Sequence, residues 1–208
     1  MCNLSSYGRL PKFVVNFKRR TIMANVRKTD RRTIYTLNVI QQAFLKLIDQ
    51  QPFAKITVAQ LCREADITRS TFYLHYSNLN EVLDAVLDQA LLANQDMTFD
   101  ADPDNASLIP ACQRIAGAPK YRRLLMDPDL SEYIIGRIAQ HEHDRVVPQI
   151  VQRTGLSEQA ATSLFIYMLH GSFAINRRHH FTKTPEWYAD VKKLQNFIDA
   201  GYGAFHKG

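Results

Sequence analysis

No apolar run in these 208 residues approaches the roughly 18 that a membrane-spanning helix needs. The Phe13-Val14-Val15 cluster is too short for the core of a signal peptide, so a cytoplasmic location is expected. Cysteine is scarce. Cys2, Cys62 and Cys112 have no metal-ligand spacing and make no even-numbered disulfide framework. There is no glycine-rich phosphate loop and no nucleophile motif. His141 and His143 are two residues apart and His179 and His180 are adjacent, whereas two imidazoles share a helix face at separations of three or four. No metal, no cofactor and no enzymatic activity are therefore expected. Alternating strand patterns and internal repeats are missing too. What is left is helical periodicity.

Charge is distributed unevenly. Residues 1–76 hold 13 basic and 4 acidic side chains, while residues 77–208 hold 13 basic and 16 acidic ones. A basic part joined to a mildly acidic part suits a DNA-contacting module attached to one that does not touch DNA. The chain is long enough to bury a sizeable core as one large or two small domains.

Residues 56–76, ITVAQLCREADITRSTFYLHY, read as two short helices joined by a tight turn. Thr57 is an N-cap, with Gln60 completing a capping box. Val58, Leu61, Cys62 and Ala65 fall on one face and require burial. Asp66-Ile67 makes the turn, and Thr68 caps the second helix, expected over about 68–76. Phe72 and Tyr76 face inward, leaving Arg69, Ser70, Tyr73 and His75 outward. Arg69, Ser70 and Thr71 lie in the first turn, where free N–H groups favour a phosphate. Arg69 and Ser70 are best placed to reach base edges.

These residues carry a resemblance. Thr57-Val58, Leu61-Cys62, Ala65-Asp66-Ile67-Thr68 and Thr71-Phe72-Tyr73-Leu74-His75-Tyr76 are similar to the helix-turn-helix pattern of the TetR family of bacterial transcriptional regulators, over about residues 32–93. Asp66 stands where that family usually has glycine, Cys62 where it has alanine, and Leu79 where it has a lysine that commonly touches a phosphate. The resemblance implies double-stranded DNA with a palindromic operator as partner, and phosphate contacts from Thr57, Thr71, Tyr73 and His75. It further implies homodimerisation through the last two long helices and a small-molecule inducer held between the middle ones.

An all-α chain is expected, with a three-helix DNA-binding domain joined by a fourth helix to a helical regulatory and dimerisation domain. Residues 1–28 are a basic lead-in without helical period. Residues 1–22 read as a DNA-gripping arm or, preferably, as an over-extended translation start. The DNA-binding domain covers 29–95, opening with a helix over 29–50 whose Arg31 and Arg32, near Arg27 and Lys28, can touch phosphates. Asn78 caps the fourth helix, which runs toward Asn94. Residues 98–105 form a breaker-rich linker.

Residues 106–208 form the second domain. Helices are expected at about 106–116, from Pro119, after the turn at Asp127-Pro128-Asp129, at 157–180, and from Pro185. Pro148 should kink or interrupt the third of these and Gly155 should end it. Ligand-pocket candidates are Tyr133, Ile134, Ile138, His141, Met168 and Phe173. The 157–180 helix is apolar nearly all round, so burial on more than one side is expected. Leu164, Phe165, Met168, Gly171 and Ile175, with Trp187, Val191 and Leu194 of the last helix, are the expected dimer interface. The function read from these features is a dimeric, inducer-released repressor. The alternative left open by Leu79 is a co-regulator that keeps the fold and acts through protein–protein contact.

Overall fold

A computed structural model describes residues 31–92 and 110–205. The lead-in, Arg27 and Lys28, the 98–105 linker and the expected helix ends at 29, 94 and 106 lie outside them. The chain divides into units 1–36 and 37–208. The first contributes the opening turns of helix α1 (Arg31–Gln50), where the Thr36 hydroxyl donates to the Arg32 carbonyl at 2.8 Å. All regular elements among the described residues are helical.

In the second unit, Ile40, Phe44, Leu47 and Ile48 recur at helical spacing along α1 and are buried. Ile34, at the head of the same sequence stripe, is exposed. Pro52 stops the helix, and a 3-10 turn at Phe53–Lys55 lays Phe53 edge-on to Phe44, with ring centres 6.0 Å apart. Helix α2 (Val58–Glu64) follows, then α3 (Arg69–Tyr73) and α4 (Leu79–Leu92). On α4, Val82, Leu83, Val86, Leu87, Ala90 and Leu91 form the buried stripe. Leu79 is half-buried and packs on the same core, which accounts for a leucine at this position.

Helices α5 (Pro110–Ala116) and α6 (Pro119–Met126) lead to a 3-10 turn at Pro128–Leu130. Pro119 opens α6, where its missing N–H is not needed. Helix α7 (Ser131–Thr154) then runs unbroken through Pro148, so the expected interruption does not occur. Pro148 and Asp144 are both exposed, so the Asp144 carbonyl freed by the proline can turn to water. Val146, Val147 and Ile150 hold the helix down on its other side. Gly155 ends α7 in left-handed backbone at φ 70°.

Helix α8 (Glu158–Arg178), capped by Ser157, packs along α7. It is joined to α9 (Pro185–Phe205) by a corner in which His180 and Phe181 adopt φ 51° and 53°. Such backbone costs a residue without glycine's freedom about 1–3 kcal/mol. Burial of Phe181 edge-on to Phe173 at 5.4 Å offsets it. A buried polar knot fastens α5, α8 and α9. The Asn176 Oδ1 accepts from the Gln113 amide and, at 2.8 Å, from the Trp187 indole N–H, while the Asn176 amide donates to the Ser172 carbonyl.

The turn before α2 and the later helices meet through polar groups as well. The buried Asp127 carboxylate accepts the Phe53 N–H at 2.9 Å through one oxygen and the Asp129 N–H at 3.0 Å through the other. On α7, the Tyr133 hydroxyl donates to Asp84 of α4 at 2.5 Å, and Arg137 pairs with Asp88 and Asp84. Burial, then the bond to Asp84 and that residue's charge, push the Tyr133 phenol up to about 12.

Candidate nucleic-acid interface

The site is built from capped short helices. At α2 the Thr57 hydroxyl accepts the Gln60 N–H at 3.2 Å, and the Gln60 side chain accepts the Thr57 N–H at 2.9 Å. This reciprocal box holds the first turn of a helix too short to persist alone. Its far end closes by two bonds, Ile67 N–H to Cys62 carbonyl at 3.0 Å and Asp66 N–H to Arg63 carbonyl at 3.3 Å. That closure demands left-handed backbone at Asp66, which sits at φ 50°; the short polar side chain of aspartate tolerates it where glycine is commoner. Burial raises the pKa of the Cys62 thiol, as suits a small core residue rather than a reactive one.

Thr68 starts α3 by accepting the Thr71 N–H at 3.1 Å. Its hydroxyl also shares hydrogen bonds with the Ser70 hydroxyl at 2.8 Å and the Thr71 hydroxyl at 2.9 Å. The three hydroxyls form one cluster at the helix start, a role for Thr68 beyond capping that the local pattern does not show. Under α3, Phe72 is fully buried and Tyr76 nearly so. The Tyr76 hydroxyl accepts from the Gln41 amide of α1 at 3.1 Å, and burial pushes its pKa upward. Tyr73 stands over the edge of Phe72, with ring centres 5.3 Å apart, and faces solvent.

The outward side carries the expected residues. Arg69, Ser70 and Tyr73 are exposed, Thr71 and His75 half-exposed, and Thr57 exposed at the start of α2. In the other unit, Arg31 and Arg32 are exposed in the first turn of α1. The second helix is shorter than the expected 68–76. After Tyr73 the Phe72 carbonyl takes both the His75 and Tyr76 N–H groups, and the Ser77 N–H goes to the Glu81 carboxylate at 2.7 Å. The helical ladder has no further donor to continue it. One side chain on this face escaped the expectation: Leu74, exposed between Tyr73 and His75.

The remaining expected site residues fall into two groups. Of the pocket candidates, Ile134, Ile138, Met168 and Phe173 are buried in the core, His141 is half-buried beside the Glu142 carboxylate, and Tyr133 is on the surface bonded to Asp84. None of the six lines the cleft of about 440 Å³ formed by α7 and α8 around Ala139, His143, Thr162, Phe165 and Ile166. Of the expected interface, Phe165, Met168 and Trp187 are buried within the chain itself. Leu164, Ile175 and Val191 are half-buried, and Gly171 and Leu194 are exposed.

Two short capped helices meeting at a tight turn, with a polar face outward over buried rings, define a helix-turn-helix. Residues 40–86 match the family model of bacterial regulatory proteins, tetR family. That match takes in the helix-turn-helix together with parts of α1 and α4. Over 92 residues, 43% of its length, the chain is 33% identical to the uncharacterized HTH-type transcriptional regulator YxbF of Bacillus subtilis (strain 168). The match spans 24% of that protein's length. No solved structure matches the chain. Among the described residues, no helix is long and apolar enough to cross a membrane.

Proposed function

We propose that this chain is a sequence-specific DNA-binding transcriptional regulator, acting as a homodimeric repressor on a two-fold operator and released by a small-molecule inducer. The observation that carries the reading is the outward face of α3, where Arg69, Ser70 and Tyr73 stand exposed over buried Phe72 and Tyr76. The basic balance of residues 1–76 supports a polyanionic partner. The match to a protein named as an HTH-type transcriptional regulator supports the same class. Thr57, Thr71, Tyr73, His75, Arg31 and Arg32 are assigned to phosphates, Arg69 and Ser70 to base edges. Two domains, about 29–95 and 106–208, divide DNA reading from regulation. An inducer that engages Ile134, Ile138, Met168 or Phe173 has to part the packing of α7 and α8, since these side chains are buried.

Mobility shift with DNA from upstream of the chain's own gene, across a salt series, tests the reading. Specific retardation whose affinity falls steeply with salt is expected. Arg69→Ala should cost about 1–3 kcal/mol and relax preference at one position per half-site. Tyr73→Ala should weaken binding to all sequences alike. Binding that ignores both sequence and salt would overturn the assignment.

A further inference from the structure

The helix-turn-helix presents one exposed aliphatic side chain on its outward face, Leu74. Leu74 follows α3 in helical backbone, φ −69° and ψ −23°, and its N–H bonds to the Ser70 carbonyl at 3.1 Å. Helical geometry therefore extends to it. Successive helical residues turn by about 100°, so a side chain two positions from both Phe72 and Tyr76 points away from both. Ser70, four positions earlier, stands one turn back on the same ridge. Arg69, three positions before Phe72, leaves from the flank. The crest of the helix is thus a hydroxyl followed by an isobutyl group.

Leu74 is 80% exposed, more than any other large apolar side chain among the described residues. It contributes nothing to the core, and it interrupts an outward face otherwise made of Arg69, Ser70 and Tyr73. In the floor of the major groove the apolar feature that distinguishes one base pair from another is the C5-methyl group of thymine.

We propose that Leu74 reads a thymine methyl group, making it a specificity residue of this interface. The inference rests on the DNA-binding function proposed above. Leu74 and Ser70 then form the central reading ridge, and Arg69 reaches a neighbouring base from the side. The contact is dry, so it distinguishes thymine from cytosine by shape and desolvation without a hydrogen bond.

The test uses the full chain and duplexes selected by it from a randomised pool. In the selected sequence each thymine is replaced in turn by deoxyuridine, which removes the methyl group and keeps every hydrogen-bonding group. At one position per half-site the replacement should weaken wild-type binding by about four-fold, the worth of burying one methyl-sized group. Leu74→Ala should bind the thymine and deoxyuridine duplexes equally at that position, keep its response at the others, and melt as the wild type does. Wild-type binding indifferent to every deoxyuridine replacement, or a Leu74→Ala variant that stays as sensitive as the wild type, would overturn the assignment. Failure to enrich any duplex would instead overturn the DNA-binding reading, and this inference with it.

Discussion

Helices α3 and α9 both present exposed side chains, but their support differs. The five-residue α3 is rooted by its own Phe72 and by Tyr76 just after it, begins at a threonine cap, and is tied to α1 by the Gln41–Tyr76 bond. Of the 21 residues of α9, Trp187 alone is buried, while Tyr188, Phe197 and Phe205 face solvent. On α8, Ile166 and Tyr167 are exposed in the same way. A short helix that must keep its polar face presented needs a rigid footing, because groove contacts tolerate little displacement. A long helix with large rings in water is in the opposite condition: its own chain leaves it half-supported. Such a surface suits the second copy of the chain in the homodimer proposed above.

The strongest way to break this contrast is Phe197→Glu. Phe197 is 69% exposed, so a charge there leaves the single chain intact. The wild type should sediment as a dimer at micromolar concentration and the variant as a monomer. Operator affinity should fall by about 10²–10⁴-fold, because the two reading heads lose their linkage. A wild type that sediments as a monomer would remove the proposed interface. Asn176→Leu should have the next largest effect. It leaves the Gln113 amide and the Trp187 indole without their buried partner, at about 1–3 kcal/mol each, and lowers Tm by roughly 5–15 °C. An unchanged melting curve would mean that this knot does not anchor α9.

A smaller effect is expected at Tyr133. Its phenol holds its proton up to about 12 in the folded chain, against about 10 when unfolded. The folded state thus keeps a proton that the unfolded state loses. The stabilisation is complete below pH 10 and disappears as pH rises from 10 to 12. Partial exposure keeps it modest. Tyr133→Phe should remove this alkaline component from a series of melts at rising pH and leave neutral-pH DNA binding nearly unchanged.

Features decided within a few residues were legible in the sequence. Thr57, Thr68, Asn78 and Ser157 are the caps, Pro119 opens a helix and Gly155 closes one. Each depends on hydrogen bonds to near neighbours. Pro148 was harder, since its effect depends on whether the freed carbonyl meets water or core. Trp187 shows the limit of periodicity: an apolar stripe states that a face is covered but not by which chain, and this indole turned out to be held by Asn176. Gln113 and Asn176 are 63 positions apart, and no spacing rule joins them. Leu74 is hard to read for another reason: a leucine in a helical pattern is ordinarily a core residue, and its exposure follows from its place opposite Phe72 and Tyr76.

Asp127 gives the molecule a natural gauge. The Phe53 amide begins a 3-10 turn and bonds to a carboxylate 74 positions later instead of to a helical carbonyl. While that bond is made, its hydrogen is withheld from solvent deuterium. The isotope-exchange rate of this one amide should therefore report how often the corner before α2 parts from the corner before α7.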